Sequence, residues 1–480
     1  MPGMTDPLSS GPHAGLSPIA FWRLSAIGTI LVQGPKLHHR LSKLHLSEGK
    51  VHFSRLISQH FLCAPLGLQS GRFVDILGSD RRIRQDRNTL RLNLNQTSGN
   101  IEGLHLGAVD LKNFVEPRLP RTSVNDLELP DCQVGFYDSL VAFDHLLGKA
   151  WIISTGLAED GSRSDAQAAQ QTRFWLAHLQ SAPAASSDAR PSQEAEPAGP
   201  VTSDLTAIEF LARVGRIQRY IHAGDIYQAN LSHRLTAPCQ FSGWELYEKL
   251  AAISPAPFSA YLDCGDFQIA SSSPELFLRL SGCHIRTRPI KGTRPRSPEP
   301  DRDAQLSYEL QTSPKEMAEL VMITDLLRND LGRVCEYGSV SVPELVRLER
   351  YPQVQHLVST VEGRLRPDVT HFAAFAACFP GGSITGAPKI RAMEIIDELE
   401  PVSRGPYTGA LGYLGFNRES QLSIAIRTAV VRDGEAHFHA GAGIVADSVP
   451  AAEYQETLTK AGGFLAALSP RARSLPVATP

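Results

Sequence analysis

The chain has 480 residues, a formal net charge of −3, 42% hydrophobic residues and 20% charged residues. That is ordinary globular composition, and so small a charge gives no footing for a nucleic-acid or membrane-surface partner. Its seven cysteines form no CxxC pair and no Cys/His cluster of zinc spacing, which reads as reduced thiols.

No apolar run approaches the ~18 residues of a membrane span. The start, MPGMTDPLSSGPHAG, lacks the basic-then-apolar build of a secretory leader, so the expected location is cytoplasmic, with no membrane contact. Residues 1–15 are Gly/Pro/Ser-rich and read as a tail. Residues 181–204, SAPAASSDARPSQEAEPAGPVTSD, carry almost no large apolar side chains. They cannot repay the entropy of ordering and read as a loop or linker. They separate an N-terminal portion, 16–180, from a C-terminal portion, 205–470, that holds every strong motif. Residues 471–480 form a second tail.

The C-terminal portion opens on a meander. Short runs at 258–264, 267–272, 276–280 and 284–290, parted by CGD and SGC turns, predict antiparallel strands. Lys291 follows the last run and precedes Gly292, a setting in which a lysine is usually solvated. It becomes a nucleophile only where burial or nearby cations hold its pKa down.

Ser313-Pro314-Lys315-Glu316 predicts a capping box opening a helix. On that helix Glu319 borders an apolar face made by Met322, Ile323 and Leu326, and by pattern alone reads as a partner for an Arg or Lys. His356, in QVQHLVS, reads as a hydrogen-bonded structural histidine.

HFAAFAACF predicts a further helix, followed by PGGSITGAPK. Gly381 and Gly386 have P-loop spacing, but Ala387-Pro388-Lys389 replaces the Lys-Ser/Thr that holds phosphate and Mg²⁺, which rejects a nucleotide site. What remains is a glycine-rich loop opening a helix that ends near Glu400.

A second meander spans 409–417, 421–431 and 435–440, with Asp433-Gly434 as a tight hairpin turn. Arg427, in the apolar run SIAIRT, needs an anion, either a core carboxylate or a substrate. Gly441-Ala442-Gly443 permits close backbone approach. From Pro450 a last helix carries Glu453, Glu456 and Lys460 along one stripe, whose plain reading is an exposed i,i+4 pair. Long antiparallel runs with interspersed helices make the fold α+β.

Taken together, GDIYQANLS, SSSPELFLRL, RTRPIKGTRPR, KEMAELVMITDLLRNDLGRV, QVQHLVSTVEG, FPGGSITGAPKIRAMEIIDELE, RGPYTGALGYLGF, SIAIRT, GAGIVADS and EYQETLTKA resemble the chorismate-utilising enzyme family. That family includes anthranilate, aminodeoxychorismate, isochorismate and salicylate synthases. The resemblance runs from about 206 to 468 and makes 205–470 the chorismate-binding catalytic domain. It implies a large antiparallel β-sandwich with helices packed outside.

The resemblance also implies roles. Glu319 and Glu456 match ligands of Mg²⁺, with Glu453 reaching it through water. Glu275 matches the acid that protonates the departing C4 hydroxyl, and His356 an active-site histidine. Thr385, Tyr407, Arg427, Gly441, Ala442, Gly443 and Lys460 match substrate-binding positions. At Gln228 the water-using members carry a lysine, so glutamine implies ammonia as the incoming nucleophile.

Lys291 points to the aminodeoxychorismate synthase branch, since anthranilate synthases carry alanine in the same run. Lysine would attack C2 as the C4 hydroxyl leaves, and ammonia would then attack C4 and expel it. The product, 4-amino-4-deoxychorismate, serves p-aminobenzoate and folate synthesis. The alternative is anthranilate synthase component I. No cysteine stands in a GxCxG setting, so a separate glutamine amidotransferase subunit is the expected source of ammonia.

Overall fold

The computed structural model describes residues 27–32, 74–75, 122–130, 132–157, 162–181, 199–351, 353–415 and 417–468. Both tails, and most of the low-complexity stretch, lie outside the described residues.

In chain order the elements are β1 (Ile27–Val32), β2 (Val74–Asp75), β3 (Cys132–Tyr137), β4 (Ser139–Asp144), β5 (Lys149–Ser154) and α1 (Asp165–Ser181). Next come β6 (Thr202–Ser203), α2 (Ala207–His222), β7 (Gln228–Pro238), α3 (Gly243–Ile253), β8 (Phe258–Asp263), β9 (Gln268–Ser273), β10 (Leu276–Ser281), β11 (His284–Arg288) and β12 (Ile290–Pro295). Then follow α4 (Pro300–Thr312), α5 (Pro314–Gly332), β13 (Ser341–Arg350), β14 (Val354–Arg364), α6 (His371–Cys378), β15 (Gly386–Ala387) and α7 (Lys389–Leu399). The chain closes with β16 (Ala410–Gly415), β17 (Glu419–Ile424), β18 (Thr428–Arg432), β19 (Glu435–Ile444) and α8 (Pro450–Leu468).

Two large antiparallel sheets organise these elements. The first runs β12-β14-β11-β10-β17-β16-β1-β3, with β13 also on β14; the second runs β15-β7-β19-β18-β9-β8, with β6 also on β7. Leu411 and Ala425 meet Ile269 and Val430 in an apolar cluster joining the two sheets. Helices α5 and α6 cover the first sheet through Ile323, Leu327, Leu331 and Phe375. On the second sheet α3 and α8 cover one part, and α2 and α7 another. The expected α+β sandwich with outer helices is what forms.

Local signals explain most boundaries. At α5, Ser313 accepts from the Glu316 amide and Pro314 occupies the first turn. Only half of the expected capping box closes, because the Glu316 carboxylate turns to Arg294 at 3.5 Å. Asp433 and Gly434 take φ of 52° and 78°, the positive pair a two-residue hairpin requires. Phe464 stacks on Phe438 at 4.9 Å and holds α8 to the second sheet. Phe464→Ala is expected to cost about 3–5 kcal/mol, read as a fall in Tm.

Two expectations need correction. The run 284–290 is not one strand, because the chain breaks at Pro289 and resumes as β12, which contains Lys291. Proline has no N–H to give a ladder. Likewise 421–431 is not one strand: β17 ends in the first sheet and β18 begins in the second. Arg427 stands at the crossing with φ 49°, so it lies outside a strand.

Candidate active site

The inner face of the second sheet is lined by alternate residues of β7 and β19. Gln228 and Asn230 face inward on β7, while Ala229 and Leu231 pack outward against α2 and α7. Across from them on β19, Gly443 stands opposite Asn230 and Gly441 opposite Ser232. The glycines keep this face low. A Cβ on Gly443 would lie 2.6 Å from Gln228 Nε2 and 3.5 Å from Lys291 Nζ, and one on Gly441 2.8 Å from the Tyr407 hydroxyl.

Lys291 reaches this face from the first sheet. It pairs with Leu357 of β14, the register then shifts before Thr293, and Gly292 sits at φ 64°. That is a β-bulge, a device that re-aims a side chain. Lys291 Nζ lies 3.7 Å from Glu319 Oε2, and both side chains are mostly buried. The same oxygen accepts from Gln228 Nε2 at 3.4 Å. Lys291, Gln228, Glu319 and Gly443 therefore converge from four elements.

A second group surrounds α8. Glu453 is buried and accepts from Ser448 Oγ at 2.7 Å and from Lys315 Nζ at 3.3 Å. Lys460 Nζ pairs with Glu456 at 2.6 Å and donates to the Gly441 carbonyl at 3.0 Å. The i,i+4 pair read from the sequence is thus present, while Glu453 departs from it by turning inward.

Glu275, just ahead of β10, is buried, and burial pushes its carboxyl up to about 7 against the Ser383 hydroxyl, Lys291 and Lys460. Burial also raises Glu319, opposed by Lys291 and Lys315. At Glu456 burial pulls upward too, but Lys460, Lys315 and Lys291 together hold it below the usual carboxylate range.

His356 bonds Thr293 Oγ1 through Nδ1 at 2.9 Å, and burial lowers it to about 4, so the ring is neutral. Tyr407 stacks on His439 with centroids 5.1 Å apart. Thr385 is buried, its hydroxyl donating to the Gly381 carbonyl at 3.0 Å and its carbonyl accepting from the Asn230 amide at 2.8 Å. That hydroxyl is committed to its own loop. The guanidinium of Arg427 makes no hydrogen bond or ion pair among the described residues, and burial lowers its pKa.

Four further residues border the site. Lys315 lies one turn ahead of Glu319, a spacing visible in the sequence. Asn230 and Thr293 stand two residues beyond Gln228 and Lys291, and Ser383 lies within the glycine-rich loop. Strand alternation could have flagged Asn230; nothing local marks Ser383 as a partner of Glu275.

Among the described residues no group of three or more His, Cys, Asp or Glu side chains could by itself hold a metal. A cation here would rest on two carboxylates, water and ligand oxygens, the coordination Mg²⁺ favours. Glu319 fits that demand, since among the described residues only its Oε2 is engaged.

Buried carboxylates and lysines, with the Arg427 guanidinium unpaired among the described residues, suit a small anionic ligand. The profile of the chorismate binding enzyme family matches residues 81–466. The chain belongs to that family and is an enzyme acting on chorismate. It is 39% identical over 382 residues to aminodeoxychorismate synthase component 1 of Bacillus subtilis, covering 79% of this chain and 80% of that protein. It is also 42% identical over 361 residues to anthranilate synthase component 1 of Thermus thermophilus, covering 75% and 76%. Among solved structures, anthranilate synthase component I from Streptococcus pneumoniae TIGR4 superposes with a TM-score of 0.69 at 27% identity, covering 95% of each chain.

Proposed function

We propose that this chain is the synthase subunit of an aminodeoxychorismate synthase, which aminates chorismate at C4 in p-aminobenzoate and folate synthesis. The observation that carries this reading is Lys291, whose amine lies in the site beside Gln228, Glu319 and the Gly443 backbone.

Chorismate carries two carboxylates. Arg427 is a guanidinium with no counter-ion among the described residues and would receive one of them, with Tyr407, Lys460 and the Gly441–Gly443 backbone bounding the rest. Glu275, protonated near neutral pH, would donate to the C4 hydroxyl as it leaves as water. Lys291 Nζ would form a bond to C2 in the same displacement, the ring double bonds shifting toward C4. Ammonia would then add at C4, the double bonds return, and the C2–Nζ bond breaks. Two steps with accessible geometry replace one direct displacement.

Glu319 and Glu456 would hold Mg²⁺, with Glu453 behind them, and the ion would neutralise the ring carboxylate. His356 braces β12 through Thr293. Ammonia would come from a separate glutamine amidotransferase subunit.

Arg427→Met is expected to raise KM for chorismate about 10–100-fold with a smaller change in kcat, since a charged hydrogen bond contributes roughly 1.5–3 kcal/mol. Steady-state kinetics at fixed ammonium checks it.

The second reading, anthranilate synthase, is favoured by relatives of that name at similar identity. Purified chain is incubated with chorismate, Mg²⁺ and ammonium salt, with EDTA in a control, and the products identified. Aminodeoxychorismate that disappears with EDTA supports the first reading. Anthranilate with pyruvate overturns it.

A further inference from the structure

The glycine-rich loop between α6 and α7 borders the site, yet its two ends are tied together away from it. Lys389, the first residue of α7, donates from Nζ to Asp330 Oδ2 at 2.6 Å and to the Cys378 carbonyl at 3.0 Å. Cys378 is the last residue of α6, so one ammonium gathers both ends of the loop. Asp330, near the end of α5, supplies the charge that holds it. The pair is deeply buried, with side chains 4% and 11% exposed for Asp330 and Lys389.

Between these anchors the loop lies flush on its neighbours. A Cβ on Gly382 would come within 2.7 Å of Leu326 on α5, one on Gly381 within 2.5 Å of Ile424, and one on Gly386 within 2.1 Å of the Gln228 carbonyl. Helix α5 also carries Glu319 and Lys315. The ion pair therefore sets how the loop sits against the helix that bears the site's carboxylate. Ser383, on this loop, lies near enough to Glu275 to lower its carboxyl pKa.

We propose that Asp330 and Lys389 are positioning residues, whose buried ion pair seats the glycine-rich loop on α5 and so holds Ser383 against Glu275. Neither residue reaches the Lys291–Glu319 group, so they act through the loop. A buried pair is a poor stabiliser compared with apolar side chains of similar volume. It is directional, however: an ammonium shared between a carboxylate and a carbonyl fixes the approach of three segments, where apolar contacts would let them slide.

The inference rests on the proposed reading only in taking Glu275 as the proton donor. Removing one partner alone would strand a buried charge, so the informative variant is Asp330→Leu with Lys389→Met. It is expected to melt close to wild type while kcat for chorismate turnover falls about 10–100-fold and KM changes less than kcat. Ser383 lowers the Glu275 pKa, and Lys291, Lys460 and the Ile290 amide face the same carboxyl. Displacement of Ser383 from Glu275 therefore moves the alkaline limb of the pH–rate profile upward. Ser383→Ala should give the same shift by itself and add little to the double variant. Asp330→Asn with Lys389→Gln, which keeps a neutral hydrogen bond, should recover part of the rate.

The Glu275 titration is also followed without turnover, by its infrared carboxyl band with Glu275→Gln as the blank. Wild-type kcat and an unmoved pH limb in the folded double variant would overturn the proposal. So would an unmoved limb in Ser383→Ala, which leaves the core intact. The product made by the wild type tests the proposed function separately, because variant and wild type are compared on whichever product forms.

Discussion

Lys291→Ala is expected to lower formation of aminodeoxychorismate by about a thousandfold or more, since the covalent route is lost rather than weakened. Lys291→Arg should fail almost as completely. It keeps the positive charge beside Glu319 but offers no amine that can lose a proton and attack carbon. Comparison of the two variants separates nucleophile from counter-ion. Wild-type protein quenched with chorismate in the absence of ammonia should gain the mass of chorismate less one water, at Lys291 in a peptide map. Full activity in either variant, or the same adduct in Lys291→Ala, would remove lysine from the covalent role. The stability of Lys291→Ala should change little, because Gln228 still donates to Glu319.

Glu275→Gln should divide activity from stability. Loss of a positioned acid is expected to cost about 10²–10⁴ in kcat. In the wild type the proton-donating form disappears as pH rises through about 7, so kcat/KM should fall on that limb. The limb should vanish in the variant.

The folded carboxyl binds its proton more tightly than the unfolded one, whose ordinary value is 4.5. Its stabilising contribution is therefore whole below that value and lost as pH rises through about 7. With the group buried, the loss amounts to about 3 kcal/mol by pH 8. Glutamine never ionises, so Glu275→Gln should melt higher than wild type at pH 8 and near it at pH 4.5. Equal Tm differences at both pH values would contradict the burial argument.

Much of the frame was legible because its causes are local. Ser313-Pro314 starting α5, Pro450 starting α8 and Asp433-Gly434 closing the β18–β19 hairpin each depend on a few neighbouring residues. The fold class followed from such elements and from the resemblance carried by motifs in order. The strand breaks were less legible. Pro289 and Arg427 interrupt runs that look continuous; β11 and β12 both stay on β14, whereas at Arg427 only sheet membership shows that the chain passes from the first sheet to the second.

The sequence supplied the candidate groups, and the family resemblance rather than local pattern singled them out: a lysine in PIKGT, carboxylates on two helices, glutamine at 228 and an arginine in an apolar run. Their arrangement was decided by tertiary structure. Gln228, Lys291, Glu319 and Gly443 lie far apart in the chain and meet only because two sheets and a helix close over one another. The bulge at Gly292 aims Lys291, a lysine whose local pattern reads as solvated, into a mostly buried position beside Glu319. Periodicity and capping report interactions within a few residues, while convergence depends on packing between elements, which no local pattern encodes.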